Sequence, residues 1–451
     1  MRLERLPLRI AAIAAFLPAL AAGAAEPGLP LHAGWATADI TPPQPVNLVG
    51  QLGKRIARTV RDPLTATALA LETRGPHGPA EQAILVSCDA IGIPKTILAR
   101  LRETLQPLLP DFDVRKLVLN ATHTHTAPGL VETGYKPYDV SGDAGVMTPA
   151  EYGAFFAGRV AQAAAEAWKA RKPSGMAWGL AYAAVGTNRR AAYAGGKSVM
   201  YGNTRDAGFS HVEGGHDDAV ELLYVWDAGG TLTGVVVNVA CPAQETEHLK
   251  EVSADFWHET REAIRKRHGE GVFVLPQCGA GGDQSPHPIF RKQAEETMQK
   301  RRGLTRRQEL ARRIANAVED ALPAARTDVR ASIVFRHDIA EMDLPEKDPP
   351  SPPFVLPDPV RSIELHILRL GDVAMATNPF ELYLDYGIRM KARSPAVLTL
   401  VVQLSCNDCG YLPSARGVAG GGYSAERFLA GPEGGKALVD ETVRRIEALW
   451  K

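Results

Sequence analysis

Cysteine is scarce in this chain: five in 451 residues, at Cys88, Cys241, Cys278, Cys406 and Cys409. That is too few for a fold held together by disulfides. Cys406-Asn407-Asp408-Cys409 is the natural place for a single bridge, with free thiols, or a redox or metal role for the Cys-x-x-Cys pair, as the other readings. An excess of charge of one sign is also missing. Lys+Arg and Asp+Glu each number 51, so the formal net charge is zero. A nucleic-acid binder would show a basic excess, and no nucleic-acid partner is expected. Beyond the first 25 residues no apolar run is long enough to span a bilayer, and no internal repeat is present.

What is present starts with an export signal. Arg2, Arg5 and Arg9 give the positive start, Ile10 to Leu20 is the apolar run, and Ala22-Gly23-Ala24-Ala25 supplies small residues for cleavage before Glu26. Residues 1–25 are therefore expected to be removed, leaving a periplasmic or secreted chain with no transmembrane segment. Residues 26–451 are enough for one large core or two closely joined domains.

Strand-like and helix-like segments alternate, which predicts an α/β fold of mixed sheets covered by helices. Ala83-Ile84-Leu85-Val86 and Gly234-Val235-Val236-Val237 are apolar throughout, as in strands buried on both faces. Helices are expected over 94–108, 149–170, 256–267, 293–322 and 435–449. Two stretches read as loops: 136–147, rich in Gly, Asp and Ser, and 343–359, whose seven prolines suit neither regular structure. The four glycines of 417–422 predict a segment that is mobile or close to a ligand.

Four segments hold residues fit for chemistry. In Asn120-Ala121-Thr122-His123-Thr124-His125 an apolar strand runs into two histidines. Residues two apart in a strand share a face, so one imidazole is free to bind a metal while the other donates to a substrate oxygen. In Gln277-Cys278-Gly279-Ala280-Gly281-Gly282-Asp283-Gln284-Ser285 three glycines before a serine permit a tight turn with free backbone N–H groups, which suits a nucleophile or an oxyanion site. Asn378-Pro379-Phe380-Glu381 puts a carboxylate at a strand end: a metal ligand, or an acid at a helix N-terminus. The last segment, 407–423, places Tyr411 and Tyr423 among glycines.

Taken together, and in this order, these segments resemble the catalytic domain of the neutral (non-lysosomal) ceramidase family. Gly34 to Pro42, with Asp39-Ile40-Thr41, resembles the family's opening strand, and Asn188-Arg189 resembles the site of its active-site arginine. The resemblance implies hydrolysis of the amide bond of a small-molecule or lipid-like N-acyl substrate, with Zn2+ as the cofactor. It implies His123, Glu381 and Tyr411 as zinc ligands, with His125, Ser285, Asp283, Arg189 and Tyr423 at the reaction centre. Ser285 is then the attacking group or the group that orients water, and His125, with Arg189 and Tyr423, stabilises the oxyanion.

Two departures stand out. Pro242 lies where the family has its second zinc histidine, and proline offers no ligand atom. Among Cys241, Gln244, Glu245, Glu247 and His248, Glu245 is the expected replacement. The chain is also expected to lack the family's C-terminal immunoglobulin-like domain, which suggests a substrate smaller than ceramide. Competing readings are an esterase, a metal-independent or carbohydrate-directed hydrolase using Asp255, Glu259 and Asp283, and a non-catalytic binding protein.

Overall fold

The computed structural model describes residues 27–345 and 360–451. The expected export segment 1–25, and most of the proline-rich stretch 343–359, lie outside these residues.

The strands with apolar residues on both faces form the centre of the molecule, as their composition requires. The largest sheet runs in the order Phe273–Cys278, Leu232–Val239, Ala219–Asp227, Lys172–Tyr182, Leu29–Asp39, Thr65–Gly75, Gly78–Cys88, Leu117–Ala121. Most neighbours are antiparallel. The outermost pair at each edge is parallel: Leu232–Val239 with Phe273–Cys278, and Gly78–Cys88 with Leu117–Ala121. A second sheet orders Phe335–Asp343, Ser362–Leu370, Val373–Thr377 and Leu398–Val402, again with a parallel last pair. The α/β fold of mixed sheets and covering helices is as expected from the sequence.

Helices close the faces. Pro149–Lys169 opens with a capping box, in which Thr148 and Glu151 each bond the other's backbone, and with proline in its first turn. It lays Tyr152, Phe156, Val160, Ala164 and Trp168 onto the strands Leu29–Asp39 and Thr65–Gly75. The approach is close enough to need glycine: a Cβ on Gly34 would lie 2.2 Å from the Ala167 carbonyl oxygen. Helices Phe256–His268 and Arg306–Arg326 pack together, and the second also covers Lys172–Tyr182.

Two expectations are corrected, and one choice left open is decided. The single helix over 293–322 is two, Lys292–Arg301 and Arg306–Arg326. Gly303 turns at φ +65°, and Thr305 and Gln308 cap a fresh start. Two of the four glycines of 417–422, Gly417 and Gly420, belong to a short packed helix, Ala415–Gly420, and Gly421 and Gly422 turn away from its end in the left-handed region. Their smallness lets Gly417 lie against the Tyr383 ring and Gly420 against Ser198. Cys406 and Cys409 form no bridge; all five cysteines are free and buried.

The two sheets meet through strand ends. Ala121 N–H donates to Leu404 O, Cys406 N–H to Leu119 O, and Gln403 N–H to Cys278 O. The loops leaving Leu117–Ala121, Leu232–Val239, Phe273–Cys278, Val373–Thr377 and Leu398–Val402 therefore gather at one place. Open α/β sheets bind their ligands in this position, beyond the carboxyl ends of the strands.

Candidate active site

His123 and His125 leave the end of the strand Leu117–Ala121. They do not continue its alternation, because His123 takes a left-handed conformation at φ +63°, uncommon for a non-glycine residue and concentrated at functional sites. The two rings meet edge to face, centroids 4.9 Å apart. His123 Nδ1 donates to Ile91 O at 2.6 Å, which turns Nε2 toward Glu381 Oε2, 3.2 Å away. Burial favours the neutral ring, but the Glu381 carboxylate outweighs it and raises the His123 pKa. Burial likewise works against the Glu381 anion, and His123, Arg189 and Tyr411 prevail to lower its pKa.

Glu381 and Tyr411 are partners in a short parallel ladder, so their side chains come from adjacent positions. The Tyr411 hydroxyl helps to favour the neighbouring Glu381 anion. Arg189 donates to the Tyr411 hydroxyl at 3.1 Å and to Gly282 O at 2.9 Å. The Tyr423 ring sits edge-on to Tyr411, centroids 5.7 Å apart. Burial, with Glu381 adding to it, pushes the Tyr411 phenol well above its usual range. His125 is buried, and neither of its ring nitrogens has a hydrogen-bond partner among the described residues. Burial, then His123, Arg189 and Arg55, hold its pKa well below 6.5.

These side chains floor a cavity of about 870 Å³. His123, His125, Glu381, Tyr411 and Tyr423 line one part of it; Ile91, Leu130, Val131 and Phe428 give an apolar wall. Asp408 also faces the cavity. Burial and the nearby Glu381 push its carboxyl up to about 6. Sequence reasoning missed Asp408, since it lies inside the Cys-x-x-Cys pair, where the cysteines drew attention.

Ser285 and Asp283 lie behind this floor. Ser285 is fully buried, its Oγ 2.9 Å from the Tyr201 hydroxyl, 3.3 Å from Gln244 Nε2 and 3.0 Å from the His287 N–H. Asp283 accepts from Asn188 Nδ2 at 2.7 Å, Leu384 N–H at 2.9 Å and Gln284 Nε2 at 3.1 Å, so it ties three segments together. Tyr201 carried no sequence signal: an isolated tyrosine in an irregular segment.

The expected replacement ligand, Glu245, turns toward His287 Nδ1 at 3.3 Å, and burial with nearby Asp255 pushes it up to about 8. Glu247 is instead the carboxylate beside His125, its Oε2 3.5 Å from Nδ1. The segment is next to the histidines because Ala243 N–H donates to Thr122 O. The carboxylates of the carbohydrate-directed alternative are engaged elsewhere. Asp255 caps helix Phe256–His268 and accepts from Thr246, and Glu259 pairs with Arg307.

His123, Glu381 and Tyr411 provide an imidazole nitrogen, a carboxylate oxygen and a phenol oxygen facing one another, with the other nitrogen of His123 held by a backbone carbonyl. That donor set and that outer hydrogen bond suit a zinc-type divalent cation. A second group, Glu364, His366 and Cys406, also has ligand atoms within 4.8 Å of one another. Its donors are already engaged: Arg102 binds both Glu364 oxygens at 2.7 and 2.9 Å, and His366 contacts Glu364 at 2.8 Å and His337 at 2.9 Å.

The architecture settles the comparison. The fold is that of neutral ceramidase. The chain superposes on the neutral ceramidase from Pseudomonas aeruginosa with a TM-score of 0.73, covering 94% of this chain and 75% of that one at 14% identity. A ceramidase complexed with C2 gives the same TM-score and identity over 93% and 75%. No family model matches the sequence, and no curated protein does either. The ceramidase-like catalytic domain is thus visible in three dimensions, at an identity that speaks for the fold alone.

Proposed function

We propose that this chain is an exported, metal-assisted hydrolase that cleaves the amide bond of an N-acyl substrate. The observation that carries the reading is the meeting of His123, His125, Glu381 and Tyr411 on the floor of one cavity, with Arg189 hydrogen-bonded to Tyr411 beneath it, at the strand ends of a ceramidase-like fold. Zn2+ held by His123, Glu381 and Tyr411 would supply Lewis-acid chemistry to that floor.

The chain's own residues account for the remaining work. Arg189 is a buried guanidinium with its charge fixed beside the tyrosines, suited to a carbonyl oxygen as it becomes negative. Tyr423, at the rim of the cavity, adds a second hydroxyl donor. Ser285, sealed by Tyr201 and Gln244, acts from behind the floor by holding those groups in place. The apolar wall of Ile91, Leu130, Val131 and Phe428 favours an acyl chain. No described helix is long and apolar enough to cross a membrane.

Metal analysis of the purified protein, followed by a panel of N-acyl amides and esters, tests the reading. Expected are about one zinc per chain, amide turnover abolished by chelator, and a His125→Ala variant about 100- to 1,000-fold slower with the fold intact. Turnover that survives full metal removal would sink it and favour the metal-independent alternative.

A further inference from the structure

Asp408 faces the cavity but has no part in the reading above. It is half-buried, on the loop that follows the strand Leu398–Val402. The loop is built to hold it. Asn407 Oδ1 accepts the N–H groups of Asp408 at 2.9 Å and of Lys95 at 3.1 Å, which ties the loop to the start of helix Lys95–Leu108. Asp408 Oδ1 accepts from Gly410 N–H at 3.2 Å. The other oxygen, Oδ2, rests on Gly92. A Cβ there would lie 2.4 Å from it, so glycine makes the notch that the carboxylate occupies. Gly92 follows Ile91, whose carbonyl holds the His123 ring. The notch thus sets the Asp408 carboxylate one residue from the anchor of the donor set, and Gly92 and Asp408 line the cavity together.

Among the described residues Oδ2 receives no hydrogen bond, and no Lys, Arg or His forms an ion pair with Asp408. Lys95, exposed on the same rim, reaches this loop through its backbone N–H. An anion turned into a cavity without a countercharge is costly unless the ligand brings one. The apolar wall of Ile91, Leu130, Val131 and Phe428 suits the acyl chain, which leaves the carboxylate to the amine half of the substrate. A hydroxyl there gives a hydrogen bond, whereas an ammonium gives a hydrogen bond and the opposite charge.

We propose that Asp408 is a specificity-determining residue that receives a protonated amine on the amine half of the substrate, which makes the substrate class singly N-acylated diamines. The inference rests on the hydrolase reading given above and names its substrate. Three amides of one acyl chain, built on ethylenediamine, ethanolamine and propylamine, test it on the full-length enzyme. They match in length and end in an ammonium, a hydroxyl and a methyl group. The ammonium compound is expected to exceed the other two in kcat/KM by about 10- to 100-fold. In Asp408→Asn, which keeps the shape and removes the charge, that ratio is expected to fall to near one. A preference for the hydroxyl or methyl compound in wild type, or an ammonium preference that survives in Asp408→Asn, overturns the proposal. If wild type hydrolyses none of the three, the hydrolase reading fails. Calorimetry with the matching ketones, in which CH2 replaces the amide N–H, then still decides the role of Asp408. Tighter binding of the ammonium ketone, lost in Asp408→Asn, supports it, and equal binding of the three overturns it.

Discussion

Single side chains in the site differ in what their loss should do. Glu381 is half-buried and faces both His123 and Tyr411, so Glu381→Ala removes the central anion of the donor set. Metal content by elemental analysis is expected to fall, and an unchanged content would exclude Glu381 as a ligand. Asp283 has the opposite character: its three accepted bonds are structural, so Asp283→Ala is expected to lower stability by about 1–3 kcal/mol through unpaired buried donors, read by denaturant unfolding. The histidine pair was legible from its spacing, but its geometry was not. Alternation along a strand put both rings on one face, whereas the left-handed turn at His123 brings them edge to face. Glu247 could not be separated from Glu245 in sequence. Which of two carboxylates two residues apart faces His125 is decided by Arg55, far away in the chain.

At the level of elements, the strands were readable because burial on both faces leaves a continuous apolar run, and helix Pro149–Lys169 because Thr148, Pro149 and Glu151 mark its start. The break at Gly303 was harder to see, since a helical pattern on either side hid one glycine in the left-handed region. Close approach between elements leaves no pattern at all. Nothing around Gly34 in the sequence announces that a helix backbone passes within contact of it. Gly34→Ala is expected to force the helix and strand apart and cost about 1–3 kcal/mol, seen as a lowered melting temperature with the secondary structure retained. An unchanged melting temperature would mean that the layers separate freely.

For the molecule as a whole, pH should act through the buried group around His366. Burial disfavours its charge, but Cys406 and Glu364 raise its pKa from 6.5 to about 9. A raised basic group stabilises the fold fully below 6.5, and that contribution is lost as pH climbs through about 9. Burial would raise Glu364, yet His366 and Arg102 take it from 4.5 down to about 2, so its contribution is present above 4.5 and lost as pH falls toward 2. Both contributions coexist between 4.5 and 6.5. The melting temperature should fall on the alkaline side, and His366→Leu should flatten that fall; a variant as alkali-sensitive as wild type would place its origin elsewhere. The seam where strand ends of the two sheets join has a kinetic consequence. His123 and Glu381 are partners across most of the chain, and neither sheet holds both. Closing so long a loop comes late in folding. On dilution from denaturant, helix and strand signals should therefore return before the cavity floor exists. Activity then becomes a clock for the docking of the two sheets rather than for their formation.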